Sequence, residues 1–538
     1  MRLDKKPDIA DWFYIPSWKR SMPPQPFDSR VQATQMGCWL VFADECGLGD
    51  KMVQRLELKD QDVITVKVGE QFGRESKFPQ RVYTINPRQR DDYDALFKEL
   101  RALNKIPKTI IHLWSVTPNL HAELSINSLE KSEYQGFYSL LFLAQALSEN
   151  NQTHSLEVGI VSNNMQEVTG SELLCPEKAM VLGPCKVIPL EYPNINCRSI
   201  DVVIPFSESG QEEQFIDQLL AELMTPSSDR IIAYRGHHRW VQTFEPVRLE
   251  GAVQGTPRLR EEGVYLITGG LGGVGLTLAE YLAQTVKAKL ILTGRSPFPD
   301  RDEWSQWLCT HNQQDSVSRK IQKLKALEAL GAEVILVRAD VANLEQMSAA
   351  IKKANQRFGQ IHGVIHSAVV SGSGIIQQIM PETAAIALAP KVMGTLVLDA
   401  LFKDAQLDFF VLCSSGNSVH SSLGMVEYTA ENNFLDAFAH YSASQNGRFS
   451  RSINWGRWQG IGWAVFFEAK YKARTGEELT GGMTSEEGIE AFRRILLSST
   501  VPQVVVSPQD FQTWIKPNNF VKFLKEELEQ MGLSKPTQ

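Results

Sequence analysis

Short runs that are apolar at every position recur along the chain, separated by stretches that are apolar only on one helical face. The continuous runs in the first half are Trp39–Ala43, Val63–Val68, Thr109–Ser115, Val158–Ser162 and Ser199–Ile204. In the second half they are Val264–Thr268, Leu290–Thr293, Glu333–Val337, Gly363–His366, Phe409–Ser414, Ser450–Trp455 and Val504–Ser507. A strand covered on both faces reads this way, whereas a half-exposed strand alternates. Helical periodicity predicts helices over Gln89–Leu103, Tyr134–Glu149, Glu212–Leu223, Leu276–Thr285, Ser318–Leu330, Leu344–Phe358, Lys391–Phe402 and Asn432–Ser444. Strand and helix in alternation imply an α/β fold with doubly wound parallel sheets. The pattern occurs twice, predicting two Rossmann-like units, at 10–240 and 258–515, with a charged tail at 516–538. The stretch Gly236-His-His-Arg-Trp-Val carries a last strand of the first unit. A Gly/Pro-containing, charged connector covers 248–262, and Pro297–Asp315 is a polar insertion. The glycine- and aromatic-rich segment 456–482 follows a strand's C-terminal end, where a lid over a substrate is expected.

Composition narrows the function. A net charge of −7 and a pI near 5.9 argue against nucleic acid and anionic membrane surfaces. The 43% of hydrophobic residues is ample for a buried core. The seven cysteines form no C-x-x-C pair and no zinc-ligand spacing, so reduced thiols and no metal site are expected. The amino terminus lacks an apolar signal core, and no unbroken apolar run approaches the roughly 18 residues of a membrane span. A cytoplasmic protein is the expectation.

The most specific chemistry lies after the first strand of the second half. Thr268-Gly269-Gly270-Leu271-Gly272-Gly273-Val274-Gly275 joins a buried strand to a helix. Glycines let the backbone approach a pyrophosphate, and the helix N-terminus offers it unpaired N–H groups. After the next strand stand Arg295 and Ser296. A carboxylate there would take a ribose 2′-hydroxyl, whereas arginine and serine suit a 2′-phosphate, so NADPH is the expected cofactor. Asp340 and Val341 are placed to flank the adenine, and His366, Ser367 and Ala368 to approach the nicotinamide ribose. The first half has its own Gly47-Leu48-Gly49, but Asp44 and Glu45 beside it would repel a pyrophosphate. That unit is expected to be empty.

A second set completes the chemistry. Tyr428 and Asn432 are four apart and share a helical face. Ser415 closes the strand before them, and Lys391 opens the preceding helix. A phenol, with a pKa of about 10, is a weak acid near neutrality, and a close ammonium strengthens it. Tyr428 would protonate a carbonyl oxygen, Lys391 would supply the charge and Ser415 a hydrogen bond. Asn432 would orient the set or a relay water. His420 and His440 read as structural or solvent-facing, and Trp455 and Trp458 as packing at the base of the lid.

Residues 263–460 resemble the catalytic half of the ketoreductase domain of modular polyketide synthases, a branch of the short-chain dehydrogenase/reductases. The matching segments are Leu266–Gly275, Thr293-Gly-Arg-Ser296, Pro390-Lys-Val-Met-Gly394, Phe410–Ser415, Tyr428–Ala437 and Ile453-Asn-Trp-Gly456. Most short-chain reductases carry lysine four residues after the tyrosine. The polyketide branch exchanges it with the asparagine, as Asn432 and Lys391 do here. The first half resembles that family's truncated, cofactor-free structural subdomain through Trp12–Trp18, Ala179–Pro193 and Ala233–Gly236, and in the family its terminal strand joins the catalytic unit. The resemblance implies NADPH-dependent reduction of a β-ketoacyl thioester, on the phosphopantetheine arm of an acyl carrier protein, to the β-hydroxyacyl thioester. Neighbouring synthase domains would be partners. An α-ketoacyl reductase of a hybrid peptide–polyketide line, or a non-catalytic scaffold or docking domain, remains open on the same motifs. The stereochemical markers of the family are replaced by Ser371-Gly372-Ser373 and His420, so the hydroxyl configuration stays unassigned.

Overall fold

The computed structural model describes residues 4–24, 37–74, 81–118, 124–148, 154–204, 209–251, 258–370, 372, 374–462, 464–479, 481–498 and 501–515. The tail at 516–538, residues 252–257 of the connector, residues 463 and 480 of the lid segment, and Ser371 and Ser373 lie outside the described residues.

Among the described residues, seventeen strands form one sheet. In chain order they are β1 (Phe13–Ser21), β2 (Cys38–Phe42), β3 (Asp62–Val68), β4 (Gly73–Arg74), β5 (Val82–Ile85), β6 (Pro107–Ser115), β7 (Leu156–Asn163), β8 (Ile195–Val202) and β9 (Ile231–Arg235). They continue with β10 (His238–Val247), β11 (Val264–Thr268), β12 (Lys289–Gly294), β13 (Glu333–Arg338), β14 (Gly363–His366), β15 (Phe409–Ser415), β16 (Ser450–Trp455) and β17 (Gln503–Val506). In the second half the order is β13-β12-β11-β14-β15-β16-β17, all parallel. The first half repeats it as β5-β3-β2-β6-β7-β8-β9, also parallel, with β4 antiparallel at the edge. In each half the strand order reverses beside the first strand. A crevice opens there, at the strands' C-terminal ends.

The halves are sewn together by antiparallel pairs: β9 with β10, β10 with β1, and β1 with β17. The expected last strand near 236–241 is thus the start of a longer β10. β1 was not legible as a strand. It mixes half-buried polar residues with Pro16, and its partners lie more than two hundred residues away. Helix Leu48–Glu57 was also missed, although Leu48, Met52 and Leu56 line its buried face. Helix Ser485–Leu497 carried a readable start, since Thr484 and Glu487 form a reciprocal capping box.

The first half braces the second. Helix Leu182–Glu191 crosses helix Val426–Asn446 so closely that a Cβ at Gly183 would stand 2.6 Å from the Ala430 methyl. The buried Lys186 ammonium donates to Asn433 Oδ1 at 2.9 Å, and His440 pairs with Glu167. Gln145 Nε2 donates to the carbonyls of Ile376 and Ile379, and Glu191 accepts from the amides of Ile376 and Gly424. One apolar core runs from Leu140 and Phe142 through Val187 to Phe434 and Phe438. The stretch Pro381–Leu401 is apolar and long enough to cross a membrane by composition, but it is two core helices, Pro381–Leu388 and Val392–Leu401.

Candidate active site

The glycine turn is built by close packing. Gly269 sits at φ +64°, and a Cβ there would lie 2.8 Å from the Ala368 backbone. A Cβ at Gly275 would lie 2.7 Å from the Gly269 carbonyl, so the helix start seats directly on the turn. Helix Gly273–Val286 begins at Gly272 with no side-chain cap. Its first amides therefore face the crevice as an anion site. Segment 461–462 lies over Gly273, where a Cβ would stand 2.9 Å from the Gly462 amide. Segment 456–482, expected as a lid, carries helix Ala464–Thr475, and its start is fixed by Arg457–Glu468 and by the Trp455–Trp458 pair with ring centroids 5.0 Å apart.

Around the turn the expected residues divide by role. Leu271 and Val274 are partly buried at the turn. The Thr268 hydroxyl is fully buried and bonded to His366 Nδ1 at 2.6 Å, and Ser367 Oγ donates to the Thr268 carbonyl at 2.7 Å. Those three brace the floor beneath Ala368. Burial pushes the His366 imidazole down to about 3, with the nearby Lys391 charge adding to it. Arg295 and Ser296 are exposed at the end of β12. Arg295 reaches Asp340 at 3.8 Å, and Arg338, which sequence reasoning passed over, donates to the Arg295 carbonyl at 3.1 Å. Asp340 Oδ1 accepts from the Ala342 amide, leaving Oδ2 toward Arg295. Val341 is buried against Gly394.

On the other side of the crevice Lys391, Tyr428 and Asn432 come together. Helix Val426–Asn446 starts earlier than its expected range and places Tyr428 in its first turn. Lys391 is buried, and its Nζ donates to Asn432 Oδ1 at 2.7 Å and lies 4.9 Å from the centre of the Tyr428 ring. Asn432 Nδ2 returns to the Tyr428 carbonyl at 2.6 Å. Ser415 ends β15, and its Oγ accepts from the Asn417 amide at 3.2 Å. The strand end is locked by Asn454, whose Nδ2 donates to Ser414 Oγ, Ser418 Oγ and the Asp436 carboxylate. Asn454 and Asp436 lie inside segments quoted for their resemblance, but spacing gave no sign of this network. His420 is half-buried, with Nδ1 at the Ser421 carbonyl, and desolvation pushes it down to about 3. Glu431, unremarked in sequence, lies 3.6 Å from Lys391 Nζ and is fully enclosed.

The equivalent crevice of the first half is arranged differently. Asp44 accepts from the amides of Cys46 at 2.8 Å, Leu48 at 3.2 Å and Gly49 at 2.6 Å. A carboxylate of the chain itself thus holds the helix N-terminus that the second half leaves open.

A doubly wound sheet with an uncapped glycine turn at its crevice is the fold of the short-chain reductase class of protein. Comparison with known proteins agrees and narrows it. Residues 263–460 match the KR domain model, and residues 37–222 match the model described as beta-ketoacyl synthase-like, N-terminal. Polyketide synthase PksM of Bacillus subtilis is 26% identical over 87% of this chain and 10% of its own length. PksL of the same organism is 32% identical over 60% of this chain and 7% of its own. PksN, also of Bacillus subtilis, is 31% identical over 62% of this chain, which spans 6% of that protein. An N-terminal ketoreductase from the macrolactin assembly line superposes with a TM-score of 0.74 at 28% identity, covering 95% of this chain and 93% of that one. The ketoreductase-containing structure of a keto acid-selecting peptide synthetase module shares the fold, with a TM-score of 0.79 at 24% identity over 100% of this chain and 41% of that one. Residues 263–460 thus match the ketoreductase domain of polyketide synthases, and ketoreductase domains of this kind are oxidoreductases that bind a nicotinamide cofactor.

Proposed function

We propose that this chain uses NADPH to reduce a β-ketoacyl thioester, carried by an acyl carrier protein, to the β-hydroxyacyl thioester. The observation that carries the reading is the buried Lys391 ammonium, bonded to Asn432 and set beside the Tyr428 ring on the same crevice as an uncapped glycine turn. The cofactor, when bound, supplies the hydride. The open helix end at Gly272–Gly275 suits its pyrophosphate, and Arg295, with Arg338 behind it, suits a 2′-phosphate. Tyr428 gives its phenolic proton to the carbonyl oxygen. Lys391 stabilises the phenolate left behind, Ser415 donates to the same oxygen, and Asn432 fixes the ammonium.

Residues 258–515 act as the catalytic unit and 10–240 as a cofactor-free support, a division favoured by the Asp44 carboxylate sitting where a phosphate would lie. The carrier protein and neighbouring synthase domains are the expected partners, because the chain spans a tenth or less of PksM and PksL. The test is consumption of NADPH with a β-ketoacyl pantetheine thioester and with the same acyl group on a carrier protein. Turnover of both, faster on the carrier, is expected. Tight NADPH binding without turnover across β- and α-keto thioesters would overturn the reading in favour of a scaffold.

A further inference from the structure

Three residues of helix Val426–Asn446 face the Lys391 ammonium: Tyr428, Glu431 and Asn432, at positions i, i+3 and i+4. The first and last belong to the proposed chemistry. Glu431 has no part in it, yet it is the nearest carboxyl. Its Oε1 lies 3.6 Å from Lys391 Nζ, both side chains are 3% exposed or less, and neither carboxyl oxygen has a hydrogen bond. A carboxyl buried without hydrogen bonds ionises only at high cost, and the cation beside it is the ammonium that Tyr428 depends on.

We infer that Glu431 is a positioning residue that gates the Lys391 charge: protonated, it leaves the ammonium free to stabilise the Tyr428 phenolate, and ionised, it neutralises that ammonium and slows reduction. This inference rests on the proposed ketoacyl reduction. The surroundings agree with it. Burial pushes the Glu431 carboxyl up to about 8, against the pull of Lys391 and with a further push from Glu427. Glu427, on the same helix, is itself buried with Oε2 unbonded, and burial raises it. Across the seam Glu427 acts on Glu191, which burial raises to about 7, and on Tyr138 of the segment Glu133–Tyr138. From β14, His366 feels Lys391 and is held neutral by burial. Among the described residues, Lys391 is the positive charge set against Glu431, while Glu427 adds a negative one.

The experiment compares wild type, Glu431→Gln and Glu431→Ala in kcat for a β-ketoacyl pantetheine thioester between pH 6 and 9.5. Both substitutions remove the ionisable group, and glutamine keeps the shape. Wild-type kcat should fall above about pH 8, while both variants hold their rate there. One unit above a titration only about a tenth of the acid form remains, so at pH 9 the variants should exceed wild type by up to about tenfold. A purely structural role lowers kcat by one factor at every pH, and parallel profiles overturn the inference. Thermal unfolding of wild type and Glu431→Gln reads the same carboxyl without turnover. A carboxyl raised by folding stabilises the native state below its unfolded value near 4.3, and that contribution is lost as pH rises through about 8. Wild type should therefore lose ground to the variant over that range. Absent turnover with this thermal shift present refutes the proposed reduction and leaves the buried carboxyl standing. Turnover with unchanged pH profiles refutes the gating alone, and a missing thermal shift refutes the buried protonated carboxyl on which the gating depends.

Discussion

Replacing Asn432 with alanine removes the acceptor that fixes the ammonium. Asn432 is fully buried, and its Oδ1 accepts from Lys391 Nζ at 2.7 Å. Hydrogen bonds to charged groups contribute about 1.5–3 kcal/mol. If that bond holds Lys391 beside Tyr428 in the transition state, its loss should lower kcat by roughly tenfold to 150-fold, at about 1.4 kcal/mol per factor of ten. Glu431, 3.6 Å from the ammonium, is too far to replace the lost hydrogen bond. The helix should survive, because alanine is the better helix former and the lost bond to the Tyr428 carbonyl is local. NADPH affinity should change little, since no part of the glycine turn depends on this side chain. The assay pairs steady-state loss of reduced-nicotinamide absorbance with NADPH titration by fluorescence and a thermal melt. A folded variant that binds NADPH and keeps its full kcat would refute the argument that Asn432 positions the lysine.

Tyr428→Phe should lower the chemical step by on the order of 10²–10⁴ with NADPH binding intact, and near-normal single-turnover rates would remove Tyr428 from the acid role. Arg295→Ala should weaken NADPH much more than NADH, and equal losses in paired titrations would end its part in reading the 2′-phosphate. Asp44→Ala should cost about 1–2 kcal/mol in denaturant unfolding, because three amides lose their acceptor, and an unchanged midpoint would contradict that. Glu172 is pushed up by burial but pulled further down, to about 2, by Arg235 and the amide and hydroxyl of Thr169. A carboxyl lowered by folding stabilises the native state above its unfolded value near 4.3, and that is lost as pH falls toward 2. The margin of wild type over Glu172→Gln should shrink over that range, and a pH-independent margin in thermal melts would refute the assignment.

The second half was the more legible because its signals are local. Strands β11 and β14 fell at their predicted limits, since a fully covered parallel strand must be apolar throughout. The turn Thr268–Gly275 was readable because its glycines fall between one strand and the helix that directly follows it. Tyr428 and Asn432 shared a face by helical spacing alone. β1 was opaque for the opposite reason. Its pairing with β10 and β17 is set by residues at the far end of the chain, and its half-exposed pattern with Pro16 resembles a loop.

The sequence by itself determined the element types, the doubled α/β architecture and the residue kinds at the crevice, since these depend on periodicity and on neighbours a few positions apart. Only the tertiary structure decided what those residues do to one another. It brought Lys391 to Asn432 and to Glu431, turned Thr268 and His366 inward as a pair, and set Asp44 on the helix end that its counterpart leaves bare. Such relations are fixed by burial and by angstrom-scale distances between side chains on different elements, and no one-dimensional spacing contains them.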